Sequence, residues 1–469
     1  MIKYFAIFLF SFTALLVNAQ CTFERFYKYY PVNSSIRSYT ITTSDGGFLT
    51  VMSCLWEPNF SNMGGDIDMA IVKNDACGNT LWQMHYGAPN SADEAAGCIE
   101  LSDGSYLVAG STESGPAISN FRVVKFSKNG TMIWDSIYNG IHESQCFGIT
   151  KRMNKNSAFI YGFENRPGLQ VPYILEIDEN GNSLKSLGLI HPYYFYYFVN
   201  LLKLNDSNYN LICNSKDTLF FIQTDTSFNI KINKPIVYTQ VFYYDACITN
   251  DNKSIAIALT YTDSNYNNDG HVLLYNINGS LKKNFIYPIH TLGNPVCISP
   301  TKSNGFIIGY YLLKTDSNFN FLNYNSWYNA PRLWSLGAIQ SIIELPNRSI
   351  VASGYSYIND TNGEMYILKL DSNGKYAHSG IIETQIQNNE LSIYPNPATN
   401  ELHIAQSAIN NLQLTLSLFD VNGKQVIENT SFTISTTINT SLLNQGLYFV
   451  RITDANGAVV KMQKVAVVK

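Results

Sequence analysis

Short apolar runs separated by polar turns fill the chain from about residue 45 to residue 375, and one succession recurs. A polar turn leads to a β-rich run, a loop, a second β-rich run, and then a turn at an Asp/Asn-Gly. The clearest copies are Asp45-Gly46-Gly47-Phe48 with MAIVKNDACGNTLW (69–82), and Asp103-Gly104-Ser105-Tyr106 with FRVVKFSKNGTMIW (121–134). Fainter copies follow. NSAFIYG (156–162) leads to YILEIDENGNSL (173–184), DSNYNLIC (206–213) to LFFIQTDTSFN (219–229), and DNKSIAIAL (251–259) to HVLLYNINGSL (271–281). SNGFIIGYY (303–311) runs directly into LLKTDSNFN (312–320), and PNRSIVASG (346–354) leads to MYILKLDSNGK (365–375).

The units start at 45, 103, 156, 206, 251, 303 and 346, which lie 43 to 58 residues apart. Each supplies four strands: one before the first turn, one after it, one before the second turn and one after. The Asn-Gly pairs at 129–130, 180–181, 278–279 and 373–374 are hairpin signals, because both residues tolerate positive φ. No apolar run at 3.6 spacing carries helix caps. All-β repeats of this length predict a β-propeller of about seven blades, with a β-solenoid or two β-sandwiches as the structural alternatives. The sixth unit leaves no room for a loop between its inner runs and is expected to be a degenerate blade.

After residue 380 the pattern changes. IIETQIQNNE (381–390) reads as a polar linker, and residues 391–469 as a separate domain. Leu414, Leu416 and Leu418 alternate with polar residues, as do Tyr448, Val450 and Ile452, which marks half-buried strands. Asn422-Gly423 and Asn456-Gly457 mark turns, and Pro395 and Pro397 are expected to keep the first strand from pairing at its start. About eighty residues of short strands predict a small Ig-like β-sandwich.

The N-terminus changes the picture from fold to destination. Lys3 precedes an apolar stretch, Tyr4 to Val17, and Val17-Asn18-Ala19 forms a small-x-small cleavage site that leaves Gln20 first. Those fourteen residues would span only about 21 Å as a helix, short of a ~30 Å hydrocarbon core. Residues 1–19 therefore read as a signal peptide, 20–380 as the repeat domain, and no transmembrane span is expected in the mature protein. Gln20 before Cys21 departs from a lipobox. Export permits disulfides among the eight cysteines, 21, 54, 77, 98, 146, 213, 247 and 297, and Cys54–Cys77, flanking one hairpin, is the expected pair. Cys98, Cys247 and Cys297 recur at similar repeat positions and read as small buried residues of inner strands. Charged residues are only 14% of the chain and the net charge is −4 without a basic run, so nucleic acid is not an expected partner.

The repeats lack the Gly-His and Trp-Asp signatures of WD40 units. They resemble the DGGF…G…D-x-aromatic-hydrophobic-Lys…D-x-x-G…W repeats of secreted bacterial proteins, which are propeller-like. Tyr394-Pro395-Asn396-Pro397, the LFDVNGK run (418–424), Gly446-Leu447-Tyr448 and the terminal Lys464 to Lys469 resemble the type A sorting domain of the bacterial type IX secretion system. That resemblance implies recognition by an outer-membrane translocon, tail removal, release or attachment at the cell surface, and a Gram-negative source of the Bacteroidetes type.

Candidate chemistry is sparse. No HExxH, GxSxG or P-loop is present. Histidines 85, 142, 191, 271, 290, 378 and 403 form no i, i+4 pair, and neither a cofactor nor a metal is expected. The loop from Asp263 to Gly270 opens like a calcium site but has Asn268 at position six and Leu274 at twelve. Asp66, Asp68, Asp93, Glu94 and Glu143 fall near predicted loops, where they could converge on a propeller channel as hydrolase carboxylates or cap turns. Aromatics are dense in HPYYFYYFV (191–199) and SWYNAPRLW (326–334). Trp327, Tyr328 and Trp334 of the second segment are the candidate ligand-binding residues, since exposed rings suit sugar or protein ligands. The expected function is a secreted or surface-attached binding protein with a glycan or protein ligand. The alternatives are a secreted hydrolase or a structural surface component.

Overall fold

In the computed structural model the described residues are 22–27, 30–31, 38–56, 66–89, 91–113, 119–140, 142–152, 155–167, 169–188, 197–205, 208–215, 218–237, 241–262, 268–288, 297–309, 312–324, 336–359, 362–374, 391–406, 413–421, 423–433, 435–453 and 459–469. The chain forms two compact units, 1–377 and 378–469. The expected signal peptide and the 381–390 linker lie outside the described residues, as do Trp327, Tyr328 and Trp334. No helix occurs among the described residues, and none is long and apolar enough to cross a membrane.

The first unit is a seven-bladed β-propeller. Strand β1 (Phe23–Tyr27) opens it but belongs to the last blade. Blade 1 comprises β2 (Tyr30–Pro31), β3 (Tyr39–Thr42), β4 (Phe48–Trp56), β5 (Asp66–Asn74) and β6 (Thr80–Tyr86). Its inner edge is shared, because β2 and β3 pair with opposite ends of β4. Blade 2 is β7 (Asp93–Glu100), β8 (Tyr106–Glu113), β9 (Ser119–Phe126) and β10 (Met132–Tyr138). Blade 3 is β11 (Ser144–Lys151), β12 (Ser157–Arg166), β13 (Leu169–Asp178) and β14 (Ser183–Gly188). Blade 4 is β15 (Tyr197–Asn205), β16 (Asn208–Ser215), β17 (Thr218–Asp225) and β18 (Ile230–Val237). Blade 5 is β19 (Val241–Ile248), β20 (Ser254–Thr262), β21 (Asn268–Asn276) and β22 (Leu281–Pro288). Blade 6 has stunted strands, β23 (Cys297–Pro300), β24 (Phe306–Gly309), β25 (Leu313–Thr315) and β26 (Phe321–Tyr324). Blade 7 is β27 (Leu336–Glu344), β28 (Ile350–Asn359) and β29 (Asn362–Leu370), completed by β1.

That last pairing differs from the repeat count, which assigned the seventh unit its own fourth strand. Here β1 fills the outer place instead, antiparallel to β29 with Phe23 opposite Lys369 and Tyr27 opposite Met365. The inner strands touch in sequence round the ring, and β27 returns to β3.

Both faces of each blade are buried, so side chains that alternate along a strand feed two different cores. On β5, Met69 and Ile71 pack against blade 2, while Ala70 and Val72 pack against blade 7. On β8, Tyr106 and Val108 face blade 1, and Leu107 and Ala109 face blade 3. Seven such cores fill the seven junctions.

The turns repeat their chemistry as well. In Asp75–Asn79 the Gly78 amide donates to the Asp75 carbonyl and the Asp75 amide to the Asn79 carbonyl, with Gly78 at positive φ. The register shifts by one residue beside it. This is a four-residue turn with a bulge, not a two-residue loop with two positive φ values, so only the glycine leaves ordinary backbone space. Asp75, Asp178, Asp225 and Asp316 each accept two backbone amides and an Asn side chain four residues on.

Outer strands peg each blade to the next turn. Arg25 donates to the Gly78 carbonyl, Trp82 to Lys128, Trp134 to Glu179, Lys185 to Ser227, Lys234 to Asn278 and Lys283 to Asn318. Where the peg is Trp82 or Trp134, the turn residue beneath it is Gly130 or Gly181, with the indole against it. Where the peg is Lys185 or Lys283, that turn residue is Phe228 or Phe319, each at positive φ. An L-residue there costs about 1–2 kcal/mol, but both rings are buried. Phe319 stacks between Phe285 and Phe306 at 5.3 and 5.1 Å, and Phe228 stacks on Tyr209 at 5.4 Å.

The expected Cys54–Cys77 bond does not form. Cys54 points inward from β4, free and fully buried between blades 1 and 7, whereas Cys77 sits in an exposed turn and is disulfide-bonded. Cys98, Cys247 and Cys297 are free cysteines of inner strands, and Cys98 and Cys297 are buried.

The second unit is a two-sheet β-sandwich. One sheet holds β30 (Leu391–Tyr394), β31 (Glu401–Gln406) and β34 (Ser435–Asn439). The other holds β32 (Leu414–Asp420), β33 (Gln425–Phe432), β35 (Gly446–Thr453) and β36 (Val459–Val467). Leu414, Leu416, Leu418, Tyr448, Val450 and Ile452 all enter its core, as their alternation predicts. Pro395 follows the last residue of β30, which pairs with β31 throughout, so the prolines end that strand and do not block its start.

Candidate functional site

Two regions carry the residues singled out by sequence. In the sandwich, Tyr394-Pro395-Asn396-Pro397 leaves β30 as an exposed segment with cis peptides before both prolines. Asn396 fixes it. Its side-chain amide donates to the Lys464 carbonyl at 2.9 Å, and its Oδ1 accepts the Ala466 amide at 2.9 Å. Ala398 continues the bridge: its amide donates to the Ala466 carbonyl at 2.7 Å, and its carbonyl accepts the Val468 amide at 2.9 Å. A motif near residue 395 and the terminal lysine segment, some seventy residues apart, therefore form one continuous surface.

Tyr448 has a different task from its neighbours. Its ring is buried in the core and its hydroxyl donates to the Asn444 carbonyl at 2.8 Å, which closes the turn before β35. Gly446 opens that strand opposite Val467. Sequence reading missed the outward face of β35. Leu447 and Phe449 are exposed there, Phe449 lies opposite Lys464, and the Arg451 guanidinium sits 4.6 Å over Phe419. The alternation that identified Tyr448, Val450 and Ile452 as inward implies the opposite direction for these residues.

In the propeller, the loop carboxylates are distributed unevenly. Asp68 and Asp93 meet beside Gly87. A Cβ built on that glycine would fall 1.8 Å from Asp68 Oδ1 and 3.1 Å from Asp93 Oδ2, so a larger residue would displace a carboxylate. Asp93 is fully buried and accepts the Ala88 amide at 2.7 Å and Arg122 at 2.5 Å. Arg122 also holds Asp135 at 2.6 Å and lies 5.1 Å over the Tyr86 ring. Glu94 accepts from Gln145 at 3.3 Å, and Glu143 from Asn165 at 2.7 Å. Asp66 is the first residue of β5. The Tyr39 hydroxyl reaches from blade 1 to the Phe147 carbonyl of blade 3 at 3.3 Å, passing the inner strand of blade 2.

Turn aspartates make up the main titrating set. Burial tends to raise Asp45, but hydrogen bonds from Lys73, Thr43 and the Gly47 amide outweigh it and hold the carboxyl at about 2. Asp75, Asp178, Asp225 and Asp316 are lowered by their Asn and backbone donors. His271 is buried and pushed below its ordinary value by desolvation, with Nδ1 3.3 Å from Asn284. Among the described residues no group of three or more His, Cys, Asp or Glu stands where a metal ion could be held. Of the calcium-like loop, 263–267 lies outside the described residues, and Asn268 to Gly270 begin β21.

Solved structures with a similar course include the hydrazine synthase of Kuenenia stuttgartiensis, at 12% identity over 70% of this chain and 94% of that one, TM-score 0.48. An α-L-arabinanase of Penicillium chrysogenum complexed with arabinobiose matches at 11% identity over 76% and 99%, TM-score 0.44. A protein of unknown function from Dyadobacter fermentans matches at 9% over 74% and 98%, TM-score 0.43. These likenesses carry no argument about activity. A search of curated proteins returned no match. Residues 392–468 match the secretion system C-terminal sorting domain family, over the sandwich that carries the clamped Tyr-Pro-Asn-Pro segment. The tail of this chain is a type IX secretion sorting domain, and the protein it ends is secretion cargo bound for the cell surface or the medium.

Proposed function

We propose that the propeller is a ligand-binding module, carried out of the cell by its tail and displayed on or released from the outer surface, with a glycan or a surface protein as ligand. A signal peptide over residues 1–19 starts the route. The domain from 391 onward is recognised by the type IX translocon and then removed, as in a Bacteroidetes-type envelope.

The observation that carries the binding reading is the state of the carboxylates. A retaining or inverting hydrolase needs two carboxyl groups facing a substrate. Asp93 is instead sealed in a buried ion pair with Arg122, and Glu143 is bonded to Asn165. Trp327, Tyr328 and Trp334 are the residues proposed to meet the ligand, through the flat apolar faces that aromatic side chains offer.

The test presents the exported protein to a panel of polysaccharides and glycans, reads Tyr/Trp fluorescence, and assays the same wells for new reducing ends. Saturable binding without product, lost in Trp327→Ala and Trp334→Ala, is the expected result. New reducing ends would replace this reading with a hydrolase. No response in either readout would remove the glycan and leave a protein ligand to be sought on the cell surface.

A further inference from the structure

We infer that the outer edge of blade 2, strand β10, is a pairing surface for a second copy of this chain, joined to it antiparallel about Asp135. Pairing needs only the propeller and is independent of its ligand.

A propeller leaves one strand open on the rim of each blade, and an open edge offers main-chain donors and acceptors to any other strand. Most of these rims are blunted. β14 carries Lys185, β18 carries Lys231, Lys234 and Pro235, and β22 carries Lys282, Lys283 and Pro288. β1 holds Glu24 and Arg25 within five residues, and β26 is only four residues long. β6 is uncharged, but Leu81 is its one exposed large apolar residue, and Gln83 and His85 are exposed beside it.

β10 differs from all of these. It is seven residues long, holds neither lysine nor proline, and has no strand beyond it among the described residues. Met132, Ile133 and Ile137 are 48, 51 and 45% exposed. Its single charge is drawn inward. Asp135 accepts Arg122 through both oxygens, at 3.1 and 2.6 Å, and the Tyr86 hydroxyl at 3.0 Å. The residue is exposed although its side chain keeps only 24% of its surface, so the main chain there faces solvent.

The strand is also complementary to itself. Two copies running antiparallel about Asp135 set Ile133 of each opposite Ile137 of the other, and Met132 opposite Tyr138. Ile133 has no partner on β9, because the register shifts there. Apolar pairs across two strands stabilise the ladder, while like charges opposite each other weaken it. The two Asp135 carboxylates that meet at the axis are each already held by their own Arg122. Seven residues extend about 23 Å, less contact than a standard interface of about 1,600 Å², so the pair forms reversibly. A joined pair presents two propellers, which strengthens its hold on any ligand that repeats along a chain or a surface.

The test is sedimentation of the exported protein at rising concentration, up to about 1 mM. Weight-average mass should climb from one chain toward two. Ile133→Lys and Ile137→Lys, which copy the lysines of β18 and β22, should each weaken pairing about tenfold, since symmetry applies each change twice. Ile286→Lys on β22, at a residue 55% exposed, should leave pairing unchanged. A monomer at every concentration, assembly that survives both β10 variants, or an equal loss in Ile286→Lys overturns the pairing. Deuterium exchange of the unaltered protein reads the site without any substitution. Exchange across 132–138 should slow as concentration rises while 183–188 stays constant, and slowing at another edge in place of β10 also overturns it.

Discussion

Arg122 is the most informative residue to remove. It joins three strands of blade 2, from Asp93 on β7 to Asp135 on β10. Asp93 has no exposed surface, while the Asp135 side chain keeps 24% of its own. Replacing Arg122 with Met retains most of the apolar stem but leaves the Asp93 carboxylate buried without its cation. Stranding one member of a buried pair costs about 3–5 kcal/mol. Loss of the guanidinium from the Tyr86 ring adds about 0.5–1 kcal/mol. Removing both charges, as Arg122→Met with Asp93→Asn, should recover most of that loss, since no charge is left buried. Asp135→Asn should cost no more than about 1 kcal/mol, because water already reaches that partner. Denaturant unfolding of these three variants and of Asp93→Asn, with Arg122 and Asp93 treated as a double-mutant cycle, measures this coupling. The reasoning fails if Arg122→Met costs less than about 1 kcal/mol, or if the double variant loses the sum of the two single losses.

Phe319→Gly should relieve the positive φ but lose the Phe285–Phe306 stack, for a net loss of about 2–4 kcal/mol on thermal or denaturant unfolding. Acid should weaken the propeller in a defined window. Asp45, Asp75, Asp103, Asp178, Asp225, Asp251 and Asp316 all have folded values below the ordinary 3.8, so their contribution is full above about pH 4 and is lost as pH falls through the lowered values, near 2 for Asp45. Equilibrium unfolding between pH 6 and pH 2 follows that loss, and constant stability over the range would contradict it. Deleting residues 390–469 should strand the protein in the periplasm, as read by fractionation, and normal surface display would overturn the role of the tail. Asn396→Ala removes both side-chain bonds to β36 and should destabilise the sandwich by about 1–3 kcal/mol while lowering export.

The repeat frame was legible because turn chemistry is local. Asp and Gly at fixed offsets fix each hairpin, and the alternating apolar runs between them fix two buried faces. Ring closure was not legible. β1 carries no turn signature, and its partner β29 lies more than three hundred residues away, so nothing local to FERFY names it. The cysteines misled for the same reason. Cys54 and Cys77 are close in sequence and flank one hairpin, yet strand alternation turns Cys54 into the core. In the tail, the Tyr-Pro-Asn-Pro segment was visible as a motif, but its clamp onto β36 was not, because the Asn396 bonds go to backbone atoms that any residue supplies. The carboxylates looked alike as loop residues, and only the side chains facing them separate sealed Asp93 from half-buried Glu94.

The pegs between neighbouring blades behave like matched halves of a domino. Trp82 and Trp134 each fit a glycine on the next blade, Lys185 and Lys283 each fit a phenylalanine, and Lys234 lies against Gly279. Moving blade 4 to follow blade 2 would press Phe228 into the indole of Trp134. A blade copied to a new place would keep this packing only where the peg and the turn residue across the new junction fit each other.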